Sequence, residues 1–418
     1  MPPRHAFLAP GPRRDLWVTT ADVAAYSLMV GFGETYLPAF ALALGLGPVA
    51  AGLTATVPIL VGAVLQLVTP AAVARLGSNR GWVVACTAVQ AISFVPFIAW
   101  ALRGHAQLWE VLVAASLYWS AGMAGVPAWN SWLGTLVPAR LRTTFFARRN
   151  RLGQLAVCIG FVLAGLALQV GESRGAVLPT FAAVFAVAAV CRLASTALLA
   201  ACSEPSPPAA AAAPQTDEGR VRRLIGAARD MAARPSGRLV SFLWCFLFGA
   251  HISSPYFTPY MLRELGFSYH AYMLVFAAAF LTKALVLPSL GRLASRIGSA
   301  GLLWAAVLAI TPLALLWLPA EGLPYLIGVQ VIAGGCWAAY ELAVALLLFE
   351  AVTDRERTGV ITVYNLGLAV ATVAGGACGG LILHALGADR TAYAAVFVAS
   401  TIVRLASLPL ARRVRVAE

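Results

Sequence analysis

Along the chain, apolar stretches of about twenty residues or more alternate with short polar breaks that carry arginine, and no stretch shows the two-residue alternation of a strand. A helix needs about 20 mostly apolar residues to cross the hydrocarbon of a bilayer. Stretches of that kind run over 17–43, 48–72, 81–102, 107–136, 143–170, 176–201, 237–262, 269–291, 300–318, 322–351, 357–385 and 390–411. The pattern predicts an all-α membrane protein with 12 transmembrane helices and excludes an outer-membrane barrel. The basic start, with Arg4, Arg13 and Arg14, resembles the head of a signal peptide. The apolar run that follows is too long for a leader and contains Asp22 and Glu34, so it is expected to be retained as the first span.

Composition narrows the class. Hydrophobic residues make up 60% of the chain and charged residues 11%, against about 25% charged in an ordinary soluble domain, which excludes a typical soluble enzyme. The net charge of +13 could suggest nucleic acid, but the arginines fall in short clusters between apolar runs and form no basic face. No nucleic-acid partner is expected; the bilayer is. With both termini on the inside, 23 arginines lie inside and 4 in outer loops, which predicts cytoplasmic termini in a bacterial inner membrane. Arginine and alanine in place of lysine suit a GC-rich genome. The seven cysteines have no metal-ligand spacing, and neither a metal nor another cofactor is expected.

A Pro/Ala-rich stretch, Cys202 to Gly219, divides the spans six and six. Residues Arg220 to Arg234 then place Val221, Leu224, Ile225, Ala228 and Met231 on one helical stripe, which predicts a basic amphipathic helix on the inner membrane surface. The expected domains are a six-helix bundle over 1–201, a cytoplasmic linker over 202–236 and a second six-helix bundle over 237–418. The bundles repeat each other. Pro38 and Pro259, Gly45 and Gly266, Arg75 and Arg296, and Gly77 and Gly298 are each 221 residues apart. Asn150 and Asn365, Gly160 and Gly375, and Gly165 and Gly380 are 215 apart, and Arg192-Leu193-Ala194-Ser195 recurs 212 residues later from Arg404. Offsets that hold within a region and drift across loops indicate a duplicated unit, here in parallel pseudo-twofold relation.

The stretch Gly291-Arg292-Leu293-Ala294-Ser295-Arg296-Ile297-Gly298, with its weaker first-half copy from Pro70 to Gly77, resembles the signature of the major facilitator superfamily between its second and third spans. Ser295 and Ala74 stand where that signature has an acid. The stretch from Trp129-Asn130-Ser131-Trp132 through Arg148-Arg149-Asn150 is similar to bacterial members whose substrates are mostly unassigned. Gly160 and Gly165 occur without the Gly-Pro pair of drug/proton antiporters. The resemblance implies alternating access around a central site lined by spans one, four, seven and ten.

A charge in hydrocarbon costs at least about 2.5–3.5 kcal/mol and needs a partner or a wet cavity. Glu34, deep in span one beside Ser27, Gly31 and Pro38, is read as a proton-carrying carboxylate, a substrate contact or half of a structural pair. Glu341 and Lys283, inside spans ten and eight, are read with Glu34 as proton-coupling groups, with a Lys283–Glu341 or Lys283–Glu34 ion pair as the alternative. Substrate-cavity candidates are Trp119, Met123 and Asn130 of span four, His251 and Thr258 of span seven, and Trp337 and Tyr340 of span ten. Arg75, Gly77, Arg80, Arg296 and Gly298 are read as gating or inter-bundle contacts, with Asp354 and Glu356 supplying the missing acids. Arg192 and Arg404 are expected to anchor in lipid or lock helices, and Asp22 and Glu350 to be gating or interfacial groups.

No nucleotide-binding motif and no catalytic serine, histidine or metal constellation is present, so the chain is read as a transporter and not an enzyme. The leading expectation is a monomeric, proton-coupled secondary transporter of a small organic molecule, with export of amphipathic compounds favoured. Uptake of a nutrient or organic anion by symport, lipid flipping and a non-transporting sensor are the alternatives.

Overall fold

A computed structural model of the chain describes residues 10–137, 142–204, 226, 235–350 and 357–411, and every regular element among them is helical. Six long apolar helices come first: Arg14–Ala43, Gly47–Leu76, Asn79–Arg103, Leu108–Leu133, Arg148–Ser173 and Val177–Ala201. Gly237–Glu264, Tyr269–Trp317, Leu323–Leu348, Val363–Leu386 and Arg390–Leu410 follow. Tyr269–Trp317 contains two crossings, because Gly298, at φ 76° and ψ 164°, breaks the helix where only a residue without a side chain turns freely. Its repeat partner Gly77 ends the second span, also at positive φ, 63°. The twelve expected spans are therefore present and are numbered one to twelve below. The predicted amphipathic helix lies outside the described residues apart from Gly226.

Bulky apolar side chains such as Trp109, Val113, Leu285, Leu381 and Ile402 point outward and are exposed. In water such surface would drive association; against lipid tails it costs nothing.

Spans one and seven share a break. Span one passes from helix Pro10–Phe32 through a 3-10 turn at Glu34–Tyr36, and span seven from helix Pro235–Ser253 through a 3-10 turn at Ser254–Tyr256. Pro38 and Pro259 follow these turns. A proline donates no hydrogen bond and its ring displaces the carbonyl four residues earlier, which loosens the helix there. A tyrosine reaches across at each break: Tyr36 Oη donates to the Phe161 carbonyl at 2.8 Å, and Tyr256 Oη to the Gly376 carbonyl at 2.5 Å. The duplicated sequence thus rebuilds the same tether between spans one and five and between spans seven and eleven.

Glycine lets those pairs approach. A Cβ on Gly160 would stand 2.8 Å from the Leu28 carbonyl oxygen, and one on Gly375 would stand 2.4 Å from that of Phe248. Small residues at helix crossings allow the backbone contact that replaces hydrophobic driving force in a membrane.

By their contacts the described residues form two units. One is drawn from Met1–Tyr36, Val61–Ala167 and Leu178–Pro214, the other from Leu37–Leu60, Leu168–Val177 and Gln215–Glu418. The second unit thus takes in the ends of spans one, two and five that lie away from the termini. Within it, Arg263 donates to the Leu42 carbonyl at 2.5 Å, and Gln169 Oε1 accepts from the His270 backbone N–H at 2.9 Å, where span eight begins. The Tyr256 ring fills the space beside Gly52, where a Cβ would stand 2.4 Å from it.

Forced side chains at the crossings should destabilise. Gly160→Val and Gly375→Val are each expected to cost about 1–3 kcal/mol, read as a lower melting temperature in detergent. Gly335→Ala, where nothing lies within 4 Å of the added atom, is expected to leave the melting temperature unchanged.

Candidate functional site

The first unit contains a partly open cavity of about 350 Å³ whose wall carries most of that unit's membrane-buried charge. Asp22, Tyr26, Val30 and Glu34 recur every four residues and so form one face of span one. Arg149, Asn150 and Gln154 come from span five, Trp129 and Val126 from span four, and Arg192 from span six.

At one end Asp22, 3% exposed, accepts from Ser195 Oγ at 2.6 Å and pairs with Arg149 at 3.4 Å. Arg192, 6% exposed, donates to Ser195 Oγ at 2.9 Å and lies 4.8 Å from the centre of the Tyr26 ring. Arg149 lies 5.2 Å from the centre of the Trp129 ring, whose electron-rich face favours a cation. The Nε atoms of Arg149 and Arg192 are both buried without a hydrogen-bond partner. At the other end Tyr118 Oη donates to Glu34 Oε2 at 2.7 Å and also approaches Met29 Sδ at 3.1 Å. The Tyr118 hydroxyl holds Glu34 in one orientation without neutralising it.

Lys283 and Glu341 meet in the second unit, Nζ to Oε2 2.6 Å, and so compensate each other across spans eight and ten. Tyr340 packs into the apolar core there, stacked 5.7 Å from Phe246, with Trp337 edge-on to it at 5.5 Å. His251 Nδ1 lies 3.1 Å from Ser254 Oγ of the 3-10 turn that follows its helix, and Thr258 is buried. In the first unit Trp119 and Met123 pack against Gly62 of span two, and Asn130 is exposed. Of the residues read as sites from the sequence, Glu34 therefore lines the first-unit cavity, while Trp119, Met123 and Asn130 do not.

Arg75 and Arg296 are exposed beside their glycine turns at Gly77 and Gly298. Arg80 donates to the Cys202 carbonyl at 3.0 Å. Asp354 and Glu356 lie outside the described residues. An acid that the sequence did not single out stands at the turn before span three: Glu204 accepts from Ser78 Oγ at 2.5 Å and from the Asn79 backbone N–H at 2.7 Å. A carboxylate there caps the helix start and complements its dipole.

Two expectations are corrected. Arg192 is not anchored in lipid and Asp22 is not interfacial; both turn inward because a guanidinium and a carboxylate in hydrocarbon gain more from each other than from lipid. Arg404, 3% exposed, does not reach headgroups either: it donates to the Ile310 carbonyl at 2.9 Å and to Ser400 Oγ at 2.6 Å, the helix-locking alternative of the two expected. Four-residue spacing along span one could have exposed the Asp22–Tyr26–Glu34 face, but nothing in the sequence paired it with Arg192. Among the described residues no three metal-binding side chains come together.

Residues 239–418 match the family model of the Major Facilitator Superfamily. Among solved structures, the chain is similar to the nucleoside transporter NupG, with a TM-score of 0.66 at 13% identity over 96% of this chain and 99% of that one. It is also similar to a bacterial homolog of the human lysosomal transporter Spinster, with a TM-score of 0.67 at 16% identity over 98% of this chain and 97% of the other. No curated protein matches the chain in sequence.

Removing Asp22 should leave two buried cations with no acid beside them. Asp22→Ala is expected to destabilise by about 3–5 kcal/mol, read by thermal unfolding, and Glu204→Ala by about 1 kcal/mol.

Proposed function

We propose that the chain is a secondary transporter of the Major Facilitator Superfamily, a reading supported by the family match over its second half and by the fold, and that it couples a small organic solute to protons through Glu34. The observation that carries this reading is the Tyr118–Glu34 hydrogen bond in the wall of a cavity that also holds Asp22, Arg149 and Arg192. A carboxylate inside a span that is oriented by a neutral hydroxyl, and not locked to a cation, is free to take up and release a proton. Lys283 and Glu341, already paired, form a second charge-compensated position that a passing solute or proton could open.

The contacts of Arg263 with Leu42 and of Gln169 with the start of span eight support closure on the side away from the termini. The arginine distribution supports a bacterial inner membrane with both termini cytoplasmic, and nothing in the cycle calls for more than a monomer. A green-fluorescent-protein fusion at the C-terminus should therefore fluoresce, and an alkaline phosphatase fusion there should stay inactive.

Export of amphipathic compounds by exchange is supported by the Trp129, Val30 and Val126 walls, whereas two arginines against one aspartate favour cotransport of an anion. The two differ in the sign of proton movement. In proteoliposomes loaded with a pH dye, a naphthalenesulfonate added outside should make the lumen more acidic for cotransport and more alkaline for exchange, relative to protein-free vesicles. Glu34→Gln is expected to abolish either change while labelled counterflow persists; a full pH response in that variant would refute the proton assignment.

A further inference from the structure

Four ionisable side chains of opposite sign, Asp22, Glu34, Arg149 and Arg192, line the first-unit cavity. They do not cancel locally. Asp22 serves both arginines, one by a 3.4 Å ion pair and the other through Ser195, while Glu34 stands twelve residues further along span one, about 18 Å at the helical rise. The groups around Glu34 are Tyr118 of span four, Tyr26 of its own span and Arg192 of span six. A proton on Glu34 therefore leaves the lining with one positive charge in excess, at the arginines.

Their unmet bonding lies in the same place. Arg192 is 6% exposed, and its Nε has no partner, as is true of Arg149 Nε. A guanidinium presents a fork of donors that suits a carboxylate, sulfonate or phosphate, and a buried donor left unpaired is costly. Beyond the arginines, Val30, Val126 and Val157 supply apolar surface to a lining that also carries Ser27, Thr87 and Gln154.

We propose that this cavity binds an amphipathic organic monoanion, with its charged group between Arg149 and Arg192 and its apolar body along Val30, Val126 and Val157. The assignment rests on the reading of Glu34 as the proton site, since the proton and the anion together keep the lining neutral. Loading of one favours loading of the other, which makes the coupling cotransport.

The test uses the purified full chain and three probes with one ring system: a naphthalenesulfonate, the matching uncharged sulfonamide and the matching methylammonium. Thermal unfolding is expected to shift upward with the sulfonate alone. That shift should be lost in Arg192→Gln and Arg149→Gln, each binding about tenfold weaker or worse, and partly restored in Arg149→Lys, which returns the charge without the fork of donors. Should Arg192→Gln fail to fold, the Arg149 pair of variants carries the comparison, since that side chain is 13% exposed. In Glu34→Gln, sulfonate binding should persist and lose its dependence on pH. Equal shifts with all three probes, no shift with the sulfonate, or a sulfonate shift that survives Arg149→Gln would overturn the site. Sulfonate binding without any pH-driven flux would remove the transport reading and leave the site standing. Proton-coupled flux of the methylammonium probe alone would keep the transport reading and overturn this assignment.

Discussion

A charge carried into hydrocarbon must be answered by the protein itself, and this requirement organises the first unit. Asp22, Arg149, Arg192 and Ser195 come from three spans and meet because no single helix can satisfy any of them. Their meeting draws spans one, five and six together, and the polar wall that results borders an open cavity. The same rule acts in the second unit with different partners. Arg404, the repeat equivalent of Arg192, finds the Ile310 carbonyl and the hydroxyls of Ser253 and Ser400. One unit thus spends its buried arginine on a cavity wall, and the other on a helix lock.

The duplication is more exact in the backbone than in the side chains. Breaks at Glu34–Tyr36 and Ser254–Tyr256, tyrosine tethers to Phe161 and Gly376, and glycine contacts at Gly160 and Gly375 recur because they solve one geometric problem, a helix interrupted at depth. Side chains that bear charge have diverged: among the described residues Asp22 has no acidic counterpart beside Arg404, and the Lys283–Glu341 pair lies in the second unit. A repeat that keeps its tethers and varies its charges retains a scaffold while the chemistry of each half changes.

Much of the fold was legible in the sequence. Apolar length marked twelve spans, including the division between 291 and 300 where the backbone breaks at Gly298. Of the site, Glu34 was legible because a lone carboxylate in a long apolar run is costly. Arg192 and Asp22 were visible as charges, but lipid anchoring and helix locking stayed open for the first, and a gating or an interfacial role for the second, since depth along a helix does not reveal which face turns inward. Glu204 gave no signal, because it follows a span and acts on a helix start 125 residues earlier.

The sequence by itself determined the membrane class, the number of spans, the duplication and the charges that need partners, all of which follow from local composition and period. Only the tertiary structure decided the partners. Which of Asp22, Glu34 and Glu341 meets an arginine, a lysine or a tyrosine depends on the rotation and register of helices far apart in the chain. Hydrophobic period in a membrane constrains those only weakly, because a buried face and a lipid face are both apolar.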